Sequence, residues 1–342
     1  MKLMSYNDLV VINNEKISKQ KDGFYCDNLD VKSIPEGLSE HKNVYYIARS
    51  LKKKGNYKIN LKNVIISSNP FTFVYSVFKT FKNLNAKYFL MSINPYTFLS
   101  FILLYIFKKK IFVYLRSSGH EEYKYILGSW AVGIYQFMYR IVTSQSNVIV
   151  VHPRLYQGKK SFLAEPSKLD NLWFSEHKKV SLEEVKLLYV GRINPEKGIV
   201  QFINMFDELK INIKLSIVSK TKNLKITNNR ITLLEHGFNT KSLIDIYDNH
   251  NITILPSYTE GHPQVVDESL SRRRPVIIFE DIAHVIRDKK GIFITKRNID
   301  SFSETVEYII KNYISIQKEM EKNMLPTKKK FIEQISNIIE KN

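Results

Sequence analysis

The segment Pro256-Ser-Tyr-Thr-Glu-Gly-His-Pro-Gln-Val-Val-Asp-Glu268 places two carboxylates, Glu260 and Glu268, on either side of a Gly- and Pro-bearing turn. Apolar runs at 251–255 and 275–279 flank it, so it reads as strand, loop, helix, strand. Pro263 suits the first helical turn, where its missing N–H would have no intrahelical partner. A loop that leaves the carboxyl end of a strand and opens a helix presents free N–H groups to an anion. A second segment, Gly191-Arg-Ile-Asn-Pro-Glu-Lys-Gly198, also follows an apolar run. There Arg192 offers a planar fork matched to phosphate and Lys197 a point charge. Gly191 is expected to let the backbone turn at the strand end. The pair is a candidate diphosphate clamp that needs no metal. Taken alone, the same residues also describe an ordinary strand–turn–helix with solvated charges.

Placing such side chains together requires a row of strand ends. Apolar runs at 8–12, 64–66, 88–91, 111–115 and 148–151 read as strands, and stretches at 70–81, 95–107 and 121–141 as helices. Residues 39–54 carry Val44, Ile47 and Leu51 at helical spacing, and 13–23 reads as a polar, Lys-rich loop. The alternation breaks in the polar stretch 156–179 and restarts. Strands follow at 185–190, 213–218, 231–234 and 292–294, helices at 199–209, 242–248 and 300–313, and a basic helix at 325–339. Strands separated by helices predict parallel sheets covered on both faces. The chain is therefore α/β. It is expected to form two Rossmann-like domains, 1–165 and 183–318, with a linker at 166–182 and a basic helix in 319–342 free to return to the N-terminal domain. Ligands in such sheets bind beyond the carboxyl ends of the strands, which would set Gly119-His120, Gly191-Arg192, Gly237 and Gly261 around one cleft.

Composition narrows the setting. The single cysteine, Cys26, excludes a disulfide framework and a Cys-based zinc site, and a reducing cytoplasm fits. The first residues make a poor signal peptide. A net charge of +19 calls for an anionic partner, unless the lysines merely solvate the surface. No basic-aromatic module of the nucleic-acid-binding types is present, so nucleic acid is not expected. The run 95–107, followed by Lys108-Lys109-Lys110, is too short for a spanning helix of about 20 residues. It is either a core helix or an interfacial one.

Gly191-Arg192 with Glu196-Lys197-Gly198, and Pro256-Ser257-x-x-Glu260-Gly261-x-Pro263 with Glu268 and Pro275-Val276-Ile277, resemble the nucleotide-sugar half of family 4 glycosyltransferases, including the Glu-x7-Glu spacing. The resemblance is specific over about residues 185–280 and architectural elsewhere. It implies the GT-B architecture and a retaining, metal-independent, hexosyltransferase-type enzyme that uses a nucleotide sugar and no cofactor. It implies that Arg192 and Lys197 hold the donor diphosphate. Glu268 would bind the ribose hydroxyls, and Glu260 would lie beside the sugar, where a carboxylate suits an oxocarbenium-like centre. Gly261, His262, Pro263 and Gln264 would surround the donor sugar. His120, in Arg116-Ser-Ser-Gly-His-Glu-Glu122, is the candidate group facing acceptor and sugar, with Ser117 or Ser118 as a helix cap. His236-Gly237 could contact base or phosphate, and His152 is read as structural.

The sequence also departs from that family. Only Gly23 lies in the loop after the first strand, and Glu280-Asp-Ile-Ala283 replaces an expected Gly-containing segment. There is no Asp-x-Asp, His-Glu-x-x-His or Walker-type loop, so no metal is expected. The basic charge and the run 95–107 suggest a cytoplasmic enzyme on the inner face of a bacterial membrane. Its acceptor would be a lipid-linked glycan of cell-surface polysaccharide synthesis, lipopolysaccharide or capsule. The competing readings are a GT-B nucleotide-sugar epimerase or hydrolase, and a non-catalytic binder of nucleotides or nucleic acid.

Overall fold

A computed structural model describes the chain except residues 1–7, 83–84, 117–118, 180, 220–223, 225 and 235–238. The chain divides into two compact units, residues 1–165 with 329–342 and residues 166–328.

The strands of the first unit are β1 (Asp8–Gln20), β2 (Gly23–Cys26), β3 (Asn43–Ser50), β4 (Tyr57–Ile59), β5 (Asn63–Ser67), β6 (Lys87–Leu90), β7 (Lys110–Leu115), β8 (Asn147–Val150) and β9 (Ser161–Leu163). They run in the order β4-β2-β1-β6-β7-β8-β9, with β3 pairing β1 and β5 pairing β3. The helices are α1 (Leu29–Ser39), α2 (Pro70–Lys79), α3 (Pro95–Ile106), α4 (Gly119–Leu127) and α5 (Trp130–Gln145). Leu9, Val10, Val11 and Ile12 are all fully buried, as a parallel strand covered on both faces requires. One face of the sheet packs against α2, α3 and α5 through Phe73, Phe101, Leu104 and Met138. Two helices start alike: Asn69-Pro70 and Asn94-Pro95 each supply a capping asparagine, a proline in the first turn and a reciprocal Thr72 or Thr97.

The second unit contains β10 (Val185–Val190), α6 (Ile199–Asp207), β11 (Ile213–Val218), β12 (Ile231–Leu234), α7 (Thr240–Asp248), β13 (Ile252–Leu255), α8 (Gln264–Ser271), β14 (Val276–Phe279), β15 (Ile292–Thr295), α9 (Ile299–Lys311) and α10 (Tyr313–Met320). Its sheet is parallel throughout, in the order β12-β11-β10-β13-β14-β15. The last helix, α11 (Lys328–Lys341), returns to the first unit. There Phe331, Ile332, Ile335 and Ile339 join α1 on the other face of the sheet.

Several local expectations are corrected. Residues 39–54 are not helical: Asn43–Ser50 is β3. Tyr46, Ile47 and Ala48 are fully buried in sequence, and a strand with so continuous an apolar middle contains a helix-spaced subset by accident. The stretch 13–23 is not a loop, because β1 continues to Gln20 and turns into antiparallel β2 at Gly23. The expected helix 121–141 breaks at Gly128, whose φ of 96° no ordinary helical residue adopts. The linker 166–182 is part of the second unit, where Leu169 and Trp173 are core residues. Buried Arg272 fastens it by donating to the carbonyls of Trp173, Ser175 and Glu176 while pairing with Asp248.

Candidate functional site

The loops after β10 and β13 interlock, because these strands are parallel neighbours and their carboxyl ends are adjacent. The Tyr258 N–H donates to the Glu196 carbonyl at 2.9 Å. Gly198 has φ 64° and begins α6. A Cβ there would stand 2.1 Å from the Pro256 carbonyl oxygen, so this position accepts only glycine on two counts. Lys197 Nζ donates to Glu260 Oε1 at 2.7 Å, and Ser257 Oγ donates to the same oxygen at 2.7 Å. The two residues that the sequence assigns to phosphate and to sugar are therefore one ion pair. An ammonium carries three donors, so Lys197 can serve Glu260 and an incoming anion together. Arg192 is exposed, and its guanidinium makes no hydrogen bond or ion pair among the described residues. Gly191 does not adopt a positive φ. Its need is steric instead, since a Cβ would meet the Tyr189 hydroxyl at 2.7 Å. That hydroxyl donates to the Arg192 carbonyl at 2.6 Å and so shapes the strand end.

Glu268 lies on α8 and is 7% exposed, so it is not a solvated helix residue. Its Oε2 accepts from the Tyr247 hydroxyl at 2.8 Å. Burial, reinforced by the Glu268 charge, holds the Tyr247 hydroxyl well above its ordinary pKa, which keeps it a donor. Pro263 caps α8 from the position just before its first turn, while Gly261 sits half-exposed in the loop.

The side chains of two further loop residues bond within their own unit. The His262 ring lies inward, its Nε2 2.9 Å from Asp267 Oδ2. Gln264 donates to the Pro166 carbonyl at 2.9 Å and accepts from the Lys168 N–H at 3.0 Å, so its amide ties the start of the unit to α8. In both cases the side chain satisfies buried polar groups of its own unit, an obligation that a loop's sequence does not reveal. Lys289 also pairs with Asp267. Burial pushes the Asp267 carboxyl upward, but the His262 hydrogen bond and the Lys289 charge outweigh it, and the net shift is downward. A depressed folded pKa contributes stability that is present above the unfolded value of about 4 and lost as pH falls through the folded one. Thermal melts of the chain are accordingly expected to drop in Tm below about pH 4, and Asp267→Asn to flatten that slope. An unchanged slope would remove Asp267 from the account.

Sequence reasoning missed two groups that brace the loop. His284 Nε2 donates to the Glu260 carbonyl at 2.9 Å. Arg297 donates to the carbonyls of Pro256 and Ser257, both at 3.0 Å, and pairs with Asp281. Its guanidinium lies 3.9 Å from the Tyr258 ring centroid and 4.4 Å from that of Phe279. The only signal in the sequence is that Arg297 follows the end of β15, which does not distinguish it among 52 Lys and Arg.

In the first unit, β1 shifts register between Ile12 and Lys16. This bulge aims Asn14 and Glu15 into a cavity of about 300 Å³ with Asn94, Arg116, Tyr123 and Tyr135. Arg116 approaches Glu15 at 3.5 Å. His120 is half-buried at the start of α4, bonded through Nε2 to Gln136 and edge-on to Tyr135 and Tyr139. His152 Nδ1 accepts from the Arg154 N–H at 3.1 Å, a capping role. His236, Gly237, Ser117 and Ser118 lie outside the described residues.

Residues 174–330 match the family described as glycosyl transferases group 1. Over 163 residues the chain is 28% identical to the capsular polysaccharide biosynthesis glycosyltransferase CapM of Staphylococcus aureus, a match covering 43% of this chain and 42% of that relative. The fold is that of sucrose-phosphate synthase from Thermosynechococcus elongatus, with a TM-score of 0.71, 13% identity and 98% of both chains covered. It is equally that of Anabaena HepE, solved with UDP and glucose, with a TM-score of 0.71, 11% identity, and 97% of this chain and 99% of that one covered. The architecture is GT-B.

Proposed function

We propose that this chain, which carries a group 1 glycosyl transferase domain within the GT-B fold, moves a sugar from a nucleoside diphosphate to a glycan acceptor, with retention and without a metal. The observation that carries the proposal is the interlocked pair of loops. It sets Lys197 against Glu260 and leaves Arg192 exposed at the neighbouring strand end. Breaking the bond between the sugar's anomeric carbon and the diphosphate sends an electron pair to phosphate oxygen. Arg192 and Lys197 would neutralise that charge. Glu260 would face the positive charge developing on the sugar, and Glu268 would accept from ribose hydroxyls. With attack from the face the diphosphate leaves, the acceptor hydroxyl's proton passes to the departing phosphate oxygen as the new C–O bond forms. HepE, whose structure holds UDP and glucose, makes UDP and its sugars the first donors to try. CapM is named for capsular polysaccharide biosynthesis, which supports a cell-surface glycan as acceptor; that this glycan is lipid-linked and met on the inner face of a cell membrane is our reading of the +19 charge and the apolar run 95–107.

The test is a thermal-shift panel of nucleoside diphosphates and nucleotide sugars. A true donor at a hundredfold its Kd stabilises by about 2.7 kcal/mol. Arg192→Ala is expected to remove most of that shift and leave the ligand-free Tm unchanged, because the side chain is exposed. A full panel without any shift, or an undiminished shift in Arg192→Ala, would sink the proposal.

A further inference from the structure

Helices α2, α3 and α5 carry two apolar stripes each, although covering a sheet needs only one. The inner stripes form the core. The outer ones are exposed: Phe71, Tyr75 and Phe78 on α2, Leu99, Ile102 and Ile106 on α3, and Trp130, Ile134 and Phe137 on α5. Each set recurs at i, i+3 or i+4, i+7, so each is a continuous helix face. The faces adjoin, since α3 packs against both α2 and α5. The Phe78 and Phe107 rings are 6.0 Å apart, and Phe98 meets Phe137 at 6.1 Å. Phe71 is 87% exposed and Trp130 69%. Soluble chains rarely leave so broad an apolar surface in water.

Charge identifies what covers it. Between Leu61 and Ala164 the sequence carries thirteen Lys and Arg and only two acids, Glu121 and Glu122, so less than a third of the chain holds more than half of its net +19. Lys79, Lys82, Lys108, Lys124 and Arg140 are exposed on or beside the three helices. Lys79 lies 4.6 Å from the Tyr75 ring centroid. A second copy of the chain would offer the same cationic face and be repelled. An anionic lipid surface supplies both an apolar interior and negative head groups. No helix among the described residues is long and apolar enough to cross a membrane.

We infer that the outer face of α2, α3 and α5 seats the first unit on an anionic bilayer, its aromatic and aliphatic side chains at the acyl boundary and its lysines on head groups. This deepens the proposed lipid-linked acceptor and rests on it only for its purpose. The run 95–107 thus serves as core and as surface at once.

The test is cosedimentation of the full chain with vesicles of phosphatidylglycerol and phosphatidylcholine at low salt. Binding is expected there, at least tenfold weaker to phosphatidylcholine alone, and weakening with added salt. The double variant Phe71→Ser/Trp130→Ser is expected to lose about tenfold or more in vesicle affinity, as is Lys79→Glu/Lys108→Glu. Both sets are exposed, and a retained Tm would verify the fold. No binding to anionic vesicles overturns the inference. So does undiminished binding in the Phe71→Ser/Trp130→Ser variant, or self-association that this variant abolishes in place of vesicle binding. Transfer to a soluble acceptor is a separate readout, so failure here leaves the donor site standing, and failure of the donor site leaves this result standing.

Discussion

Gly198→Ala is expected to abolish donor binding and to destabilise the second unit by about 3 kcal/mol or more. Two costs combine. The residue sits at φ 64°, which an L side chain adopts only with strain. Its new methyl would also stand 2.1 Å from the Pro256 carbonyl oxygen, so the loops must part. Parting them breaks the Tyr258 to Glu196 backbone bond and the Lys197–Glu260 pair. Gly191→Ala is the control. Its methyl meets the Tyr189 hydroxyl, the tip of a buried ring, at 2.7 Å with an ordinary φ, so it is expected to cost stability, but less than a methyl 2.1 Å from a backbone carbonyl at φ 64°. Denaturant unfolding together with nucleotide thermal shifts would measure both variants. A Gly198→Ala protein as stable and as competent as the parent would refute the interlocked loops.

The second large effect is expected from Glu268→Gln. The amide still accepts from Tyr247, so the buried hydroxyl keeps its partner and Tm should barely move. The lost negative charge weakens the proposed hydrogen bonds from ribose by about 3 kcal/mol, roughly a hundredfold in kcat/KM. Glu268→Ala is the poorer experiment, since it strands the Tyr247 hydroxyl in a dry environment at about 1–3 kcal/mol. Comparing kcat/KM and Tm for the Gln variant separates the roles. Unchanged kcat/KM would make Glu268 a packing residue that holds Tyr247.

The second sheet was more legible than the first. Its strands are short, its central ones are buried, and polar turns set them off, so runs such as 185–190 and 213–218 coincide with β10 and β11. In the first unit, β1 departs from a simple pattern. Its parallel pairing with β3 shifts register between Ile12 and Lys16 and resumes, while its end, Ile17–Gln20, also pairs antiparallel with β2. Polar letters at a bulge look like a loop, because the bulge frees them from the sheet's alternation.

Local sequence dictated the alternation of strands and helices, and hence the parallel sheets. It also determined the loops at strand ends and the candidate groups Arg192, Lys197, Glu260 and Glu268. Periodicity and turn chemistry are local properties, and local properties are written in adjacent residues. The fold alone sets which of those groups meet. It joined Lys197 to Glu260, turned His262 toward Asp267, spent Gln264 on the backbone of Pro166 and Lys168, and brought His284 and Arg297 to brace the loop. It also made one surface of three separate helix faces. One cause underlies all of these. Buried polar groups must find partners and apolar faces must find neighbours, and in a folded chain the partner on hand is set by strand order, not by distance along the sequence.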